Sequence, residues 1–269
     1  MDLDREQLAS LFPNLSQQMR IALSSLYLAS TQAIPSEARE KDAVLDEKAS
    51  VLDQGFYRLL QLVNSLSAAE MLVSETPLSM RDVDLAGIVA RVCEGSADLA
   101  ELCELELRFS CVPERLICYA AEDAIEQMLY RLLSNAFKFT PAGGRITVDL
   151  KKKGETVLLS VTDTGRGIEK ERLGTLFSRY LQPPRPDAPV YGLGLGLPLC
   201  RVIAEKHGGS ILAESRVGKG SRFTVSLPYR VSGGRLSDVP PRYHSGFNRA
   251  LLGLADALPA KAFRVRALD

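Results

Sequence analysis

RLLSNAFKFTPAGG, residues 131–144, is the stretch on which the reading of this chain turns. It ends an amphipathic helix expected over residues 120–139, through Ile125, Met128, Leu129 and Leu132. Asn135 and Lys138 lie three residues apart, which puts them on one helical face. A neutral amide oxygen suits a Mg²⁺ shared with phosphates, and a lysine one turn on neutralises phosphate charge. A merely solvated Asn and Lys satisfy the same pattern, so the pair needs company to carry a function.

Two further stretches supply it. DTGRGI, residues 163–168, follows a strand-like run, and its glycines at 165 and 167 permit close backbone approach. Asp163 there can accept from an exocyclic amine such as that of adenine. A plain Asp-Gly turn is the duller account. YGLGLGLPL, residues 191–199, opens a helix, so Gly192, Gly194 and Gly196 offer backbone N–H groups at a helix N-terminus, a ready anion site. The spacing is neither that of a dinucleotide-binding G-x-G-x-x-G nor that of a P-loop, and a flexible glycine loop is the alternative.

Around these stretches the chain has three textures. Leu8, Leu11, Leu15, Met19, Leu23 and Leu26 form one stripe on a helix over residues 5–31. Pro35 and Ser36 break it, and Leu45, Leu52, Phe56, Leu59, Val63 and Leu66 then repeat at a 3.5-residue period as far as Thr76-Pro77. Residues 1–76 thus read as a helical hairpin. Its two stripes are covered either by a second hairpin, making a four-helix bundle in a homodimer, or by the rest of the same chain. From residue 77 to 230 helices and strands mix. Lys153-Gly154-Glu155 turns a hairpin of 145–151 with 156–162, and SILAES and SRFTVSLP are two more strands. Residues 231–269 read as a basic, solvated tail with a short helix near 248–258.

The chain's 269 residues suffice for one large domain or two modest ones, and 46% hydrophobic content promises a real core. A formal net charge of zero argues against a general nucleic-acid binder. No run approaches a membrane span, and the acidic first residues are wrong for a signal peptide, so a cytoplasmic protein without membrane insertion is expected. Five cysteines without a C-x-x-C pair read as reduced, mostly buried thiols.

Taken in order, these stretches resemble the ATP-binding domain of sensor histidine kinases, in the superfamily shared with gyrase-type ATPases and related chaperones. NAFKFTP is similar to its N box, DTGRGI to its first glycine box, LFSRY around Phe177 to its F box and GLGLGL to its second glycine box. The resemblance implies an α+β fold, with a two-layer α/β sandwich after the helical hairpin, and ATP with Mg²⁺ as cofactors. Asn135 would be the Mg²⁺ ligand, Lys138 a phosphate contact and Asp163 the adenine-reading carboxylate. Gly165, Gly167, Ile168, Phe177, Gly192, Leu193, Gly194, Leu195 and Gly196 would shape the pocket. Residues about 174–191, with four prolines, would be the lid.

The hairpin departs from the family. SQQMRIAL fits the frame of the phosphoacceptor motif at Ser16, Arg20 and Leu23, but Gln17 stands for the acceptor histidine and Gln18 for the acid beside it. A carboxamide offers no nucleophile comparable to imidazole and cannot act as a general base. His207, at a helix end, reads as structural, with a cationic or capping side chain favoured there, and His244 lies in the tail. Arg131 stands where gyrase-type relatives place a hydrolytic glutamate; a solvated or salt-bridged arginine is expected, with phosphate, Glu126 and Glu101 as the alternative partners. Two readings remain: a kinase that phosphorylates a response regulator or histidine-bearing phosphotransfer protein in trans, or a non-catalytic pseudokinase that regulates such a partner.

Overall fold

Pro35 lacks an amide hydrogen and divides the N-terminal helices. In a computed structural model, which describes residues 5–72, 76–178, 194–234 and 247–265, α1 (Arg5–Ala33) precedes it and α2 (Ser36–Lys41) follows directly. Asp42 then accepts from the Val44 and Leu45 amides at 2.9 and 3.0 Å, capping the start of α3 (Ala43–Ala69). α1 returns along α3, with Tyr27 edge-on to Phe56 at 5.6 Å between ring centres. The rest of the same chain covers one side of the hairpin and leaves the other open. Asp53, Tyr57, Leu60 and Val63 of α3 are buried. Leu15, Met19 and Leu26 of α1, with Leu52 and Leu59 of α3, remain between 42% and 58% exposed.

The mixed region begins with β1 (Arg81–Asp84), whose last residue accepts from the Gly87 amide and caps α4 (Leu85–Leu102). β2 (Glu106–Val112) and β3 (Ile117–Ala120) precede α5 (Glu122–Phe139). β4 (Arg145–Lys153) and β5 (Thr156–Asp163) form the expected hairpin, with Gly154 at φ 58° in the turn, where glycine alone is unstrained. A single turn, α6 (Lys170–Leu173), precedes α7 (Gly196–Lys206), and β6 (Ser210–Arg216) and β7 (Gly220–Pro228) close the unit.

β1 and β3 pair antiparallel, apart from a five-stranded sheet of order β2-β4-β5-β7-β6. β2 runs parallel to β4, a pairing no local pattern announces, and the other neighbours are antiparallel. β5 alternates buried and half-buried residues along its length. Val157, Leu159 and Val161 face Ile125, Met128, Leu129, Leu132 and Leu133 of α5 in one core. α4 and α7 pack beside α5, so helices cover one face of the sheet and the α/β unit has two layers.

The C-terminal stretch corrects the expectation of a solvated tail. Asn248 caps α8 (Arg249–Leu254), and a 3-10 turn follows at Ala260–Phe263. Phe247, Leu251, Leu254, Leu258 and Phe263 are all buried in the common core. Arg39 of α2 donates to the Phe263 carbonyl at 2.8 Å while pairing with Asp53 at 2.7 Å, and Gln54 donates to the Leu258 carbonyl at 2.6 Å. The segment therefore lies between the hairpin and the α/β unit. The five cysteines are free, with Cys93, Cys118 and Cys200 buried. No helix among the described residues is long and apolar enough to cross a membrane.

Candidate nucleotide site

Asp163 ends β5 between two paired neighbours, Ile146 on β4 and Ser221 on β7, so strand geometry fixes its carboxylate. Oδ1 accepts from the Gly165 amide at 2.8 Å and the Ser221 amide at 3.3 Å. Burial raises its pKa above the ordinary range, against the lowering effect of those donors. This is a fixed, mostly dehydrated acceptor at the end of a strand.

The loop after it is fastened on two sides. A Cβ at Gly165 would stand 2.2 Å from the Phe139 carbonyl oxygen, an approach only glycine permits, and the Arg166 amide donates to that oxygen at 3.2 Å. The Arg166 guanidinium lies over the Phe139 ring, 4.4 Å from its centre. On the other side Gly167, at φ 69°, presses against the Arg216 carbonyl, and the Ile168 amide donates to Ser215 Oγ at 2.8 Å. The first contacts tie the Asp163 loop to the last turn of α5, directly beyond half-buried Asn135. Phe177 is half-buried, edge-on to Phe223 at 6.4 Å.

The glycine-rich stretch enters α7. Gly194 has φ 68°, Leu195 is the N-cap without a side-chain hydrogen bond, and Gly196 begins the helix. The first-turn amides of α7 thus receive no side-chain cap, which leaves them suited to an anion. Gly192, Leu193 and the proline-rich stretch 179–191 lie outside the described residues, as does His244.

Lys138 is placed differently from the expectation. Its ammonium pairs with Asp256 of the C-terminal segment, which also accepts from Ser134 Oγ at 2.7 Å and Gln61 Nε2 at 3.1 Å. Asp256 was missed in the sequence because it lies in the stretch read as solvated. Arg131 is neither solvated nor paired with Glu126 or Glu101. Burial lowers its pKa, its Nη1 reaches Ser65 Oγ at 3.5 Å, and Glu126 goes instead to Arg249 at 2.6 Å.

Gln17 and Gln18 are exposed on α1, while Ser16 is buried beside them. His207 is structural, but neutral rather than cationic. Its Nε2 accepts from the Ala121 amide at 3.0 Å and its Nδ1 donates to the Ile203 carbonyl at 2.7 Å, while burial lowers its pKa.

Residues 120–231 match the family of histidine kinase-, DNA gyrase B- and HSP90-like ATPases. The chain carries a histidine kinase-type ATP-binding domain. A sensor histidine kinase, RppB of Synechocystis sp., is 29% identical over 80% of this chain and 48% of its own length. The sensor protein SrrB of Staphylococcus aureus is 30% identical over 80% of this chain and 37% of its own. This chain therefore spans less than half of either relative. Among solved structures, the nucleotide-free catalytic domain of histidine kinase ThkA is 27% identical with a TM-score of 0.50, covering 56% of this chain and 99% of that one. Full-length ShkA in complex with AMPPNP shares the fold, at TM-score 0.64 and 24% identity over 84% of this chain and 47% of that one. The ATP-binding match takes in Asn135, Lys138, Asp163 and the α7 entrance together.

Proposed function

We propose that this chain is a signalling protein whose histidine kinase-type domain binds Mg-ATP and passes its phosphoryl group to a separate partner. The observation that carries this is the buried Asp163 carboxylate, held by backbone amides and locked through Gly165 to the end of the helix that bears Asn135. Asp163 would read the adenine amine, and the α7 entrance would face the phosphates. No group of three or more His, Cys, Asp or Glu residues is set to hold a metal among the described residues. A Mg²⁺ here would take Asn135 as its protein ligand, as the family resemblance implies, with phosphate oxygens and water completing its shell. ATP supplies the transferable phosphoryl group.

Gln17 and Gln18, exposed where the family carries its acceptor pair, leave this hairpin without a nucleophile at that position. The acceptor is then a histidine-bearing phosphotransfer protein or a response regulator. A second reading has a specific observation behind it: Lys138 is held by Asp256 of the same chain, as in a module that uses its nucleotide domain to regulate rather than to transfer.

The test is transfer of label from γ-labelled ATP with Mg²⁺ to the purified chain and to a cell lysate, with Asn135→Ala as control. Label on a lysate protein that vanishes with the control supports transfer in trans. Absence of Asn135-dependent label, with ATP still bound in a titration, sinks the kinase reading and leaves the regulatory one. Label on the chain itself would refute the assignment of Gln17.

A further inference from the structure

A cavity of about 400 Å³ lies where α3, α5 and the C-terminal segment meet. Its size is that of a small-ligand site. Leu60, Met71, Tyr130, Phe247 and Leu252 give it apolar walls, and Arg20 of α1 and Arg131 of α5 bring two guanidinium groups to it. Consecutive residues of α3 hold the pair. Arg20 Nη2 donates to Asn64 Oδ1 at 3.0 Å, and Arg131 Nη1 to Ser65 Oγ at 3.5 Å.

Arg131 feels the Asp256 carboxylate only at a distance, since that acid is bonded to Lys138, Ser134 and Gln61, and half-buried Arg20 has no acid bonded to it. Neither arginine forms an ion pair among the described residues, and the Nε–H of each is buried without an acceptor. Buried cations ordinarily find a carboxylate, because desolvation is costly and an orphaned donor adds to the cost. The two acids of the cavity do not serve. Glu126 is taken by Arg249, and Asp123 is exposed at the rim.

We propose that this cavity binds a small organic anion whose phosphate or carboxylate seats between Arg20 and Arg131. Its apolar part would lie along Tyr130, Phe247 and Leu252. Guanidinium forks suit such oxyanions, with the planar group matched to two acceptor oxygens. The cavity borders the nucleotide site at Arg131, one turn of α5 before Asn135, without taking in the residues assigned to that site. Its α5 wall runs from Asp123 to Arg131 and includes none of Asn135, Lys138 or Asp163. Because Arg20 belongs to the hairpin, Arg131 to the nucleotide domain and Phe247 to the C-terminal segment, an occupant fastens three parts of the chain together.

The experiment is calorimetric titration of the full chain, in buffer free of other oxyanions, with pyrophosphate and with citrate as separate probes. Saturable binding of one probe is expected, identifying phosphate or carboxylate as the preferred group. Arg20→Gln and Arg131→Gln should each weaken it at least about tenfold, the loss of one strong charge-assisted contact. Arg20 sits on the hairpin surface helix, so its variant keeps the test alive if Arg131→Gln fails to fold. Asn135→Ala should bind the probe as wild type does, and so should Arg108→Gln, which removes an exposed arginine at the sheet edge. Failure of both probes to bind saturably overturns the proposal, as does binding that survives both cavity variants. Binding lost in Asn135→Ala would assign the anion to the nucleotide pocket instead. Success or failure here is independent of phosphoryl transfer, which has its own readout in labelled ATP.

Discussion

Asp163 and His207 are both buried ionisable groups, and burial moves them in opposite directions with opposite consequences for stability. The Asp163 carboxyl is raised, so the folded chain holds its proton more tightly than the unfolded chain does. Stability from this residue is present in acid and is lost as pH rises from the ordinary aspartate value, about 4, through the raised folded value. Asp163→Asn keeps an oxygen for the Gly165 and Ser221 amides and removes the titration. Thermal melts between pH 4 and 7 should show wild type falling relative to this variant as pH rises, while ATP affinity drops at least about tenfold at neutral pH. A pH-independent difference would remove burial as the dominant influence on this carboxyl. His207 is lowered below 6.5, so it behaves the other way. Its contribution is present above pH 6.5 and lost as pH falls through the folded value, because a charged ring cannot accept the Ala121 amide at the start of α5. His207→Gln should flatten that acid loss, read as a smaller fall in melting temperature from pH 7.5 to 5. An equal fall in both proteins would place the acid sensitivity elsewhere.

Between elements, the decisive contact is the C-terminal segment wedged against α3, α4 and α5. Phe263 is nearly inaccessible, and its ring meets Tyr57 at 5.3 Å. Phe263→Ala leaves a void there, for which about 3–5 kcal/mol of lost stability is the usual scale. Denaturant unfolding should show that loss; a change under about 1 kcal/mol would mean the segment contributes little to the fold. The same contact separates what was legible in the sequence from what was not. DTGRGI could be read because it needs a particular residue type locally, glycine under a carbonyl at 165, whereas the Asn135 and Lys138 pair on α5 was legible only as a shared helical face. Asp256 could not be read that way. Its role exists only after a segment more than a hundred residues from Lys138 has docked, and local spacing says nothing of such a partner. A signal was nevertheless present. Phe247, Leu251, Leu254 and Leu258 recur at intervals of four, three and four, a helical stripe that the surrounding Arg, Gly and Pro residues masked. The parallel pairing of β2 with β4 was hidden for the same reason, since register between distant strands is a property of the assembled sheet.

At the scale of the molecule, the hairpin has two apolar faces and the chain itself covers one. Tyr57 and Leu60 join the core of the C-terminal segment and the helical layer, which explains why a strict 3.5-residue repeat is not buried along a single seam. The other face presents Leu15, Met19 and Leu26 beside Leu52 and Leu59, apolar side chains on adjacent antiparallel helices that remain open to water. Fully burying an exposed side chain of this kind contributes about 1.5–3 kcal/mol, and these are already about half covered, so five from each of two chains at roughly half that figure still favour association against its entropy cost. A two-fold pairing of this face with itself would make a four-helix bundle, with each open stripe filling the other. Leu52→Glu with Leu59→Glu places charges on that face while leaving the buried side of α3 unaltered. Sedimentation velocity at micromolar concentration should give a dimer for wild type and a monomer for the double variant, both with native helical content. A monomeric wild type would refute pairing through this face. A variant that stays dimeric would move the interface to another surface, because two carboxylates facing their own copies across an apolar seam could not be accommodated there.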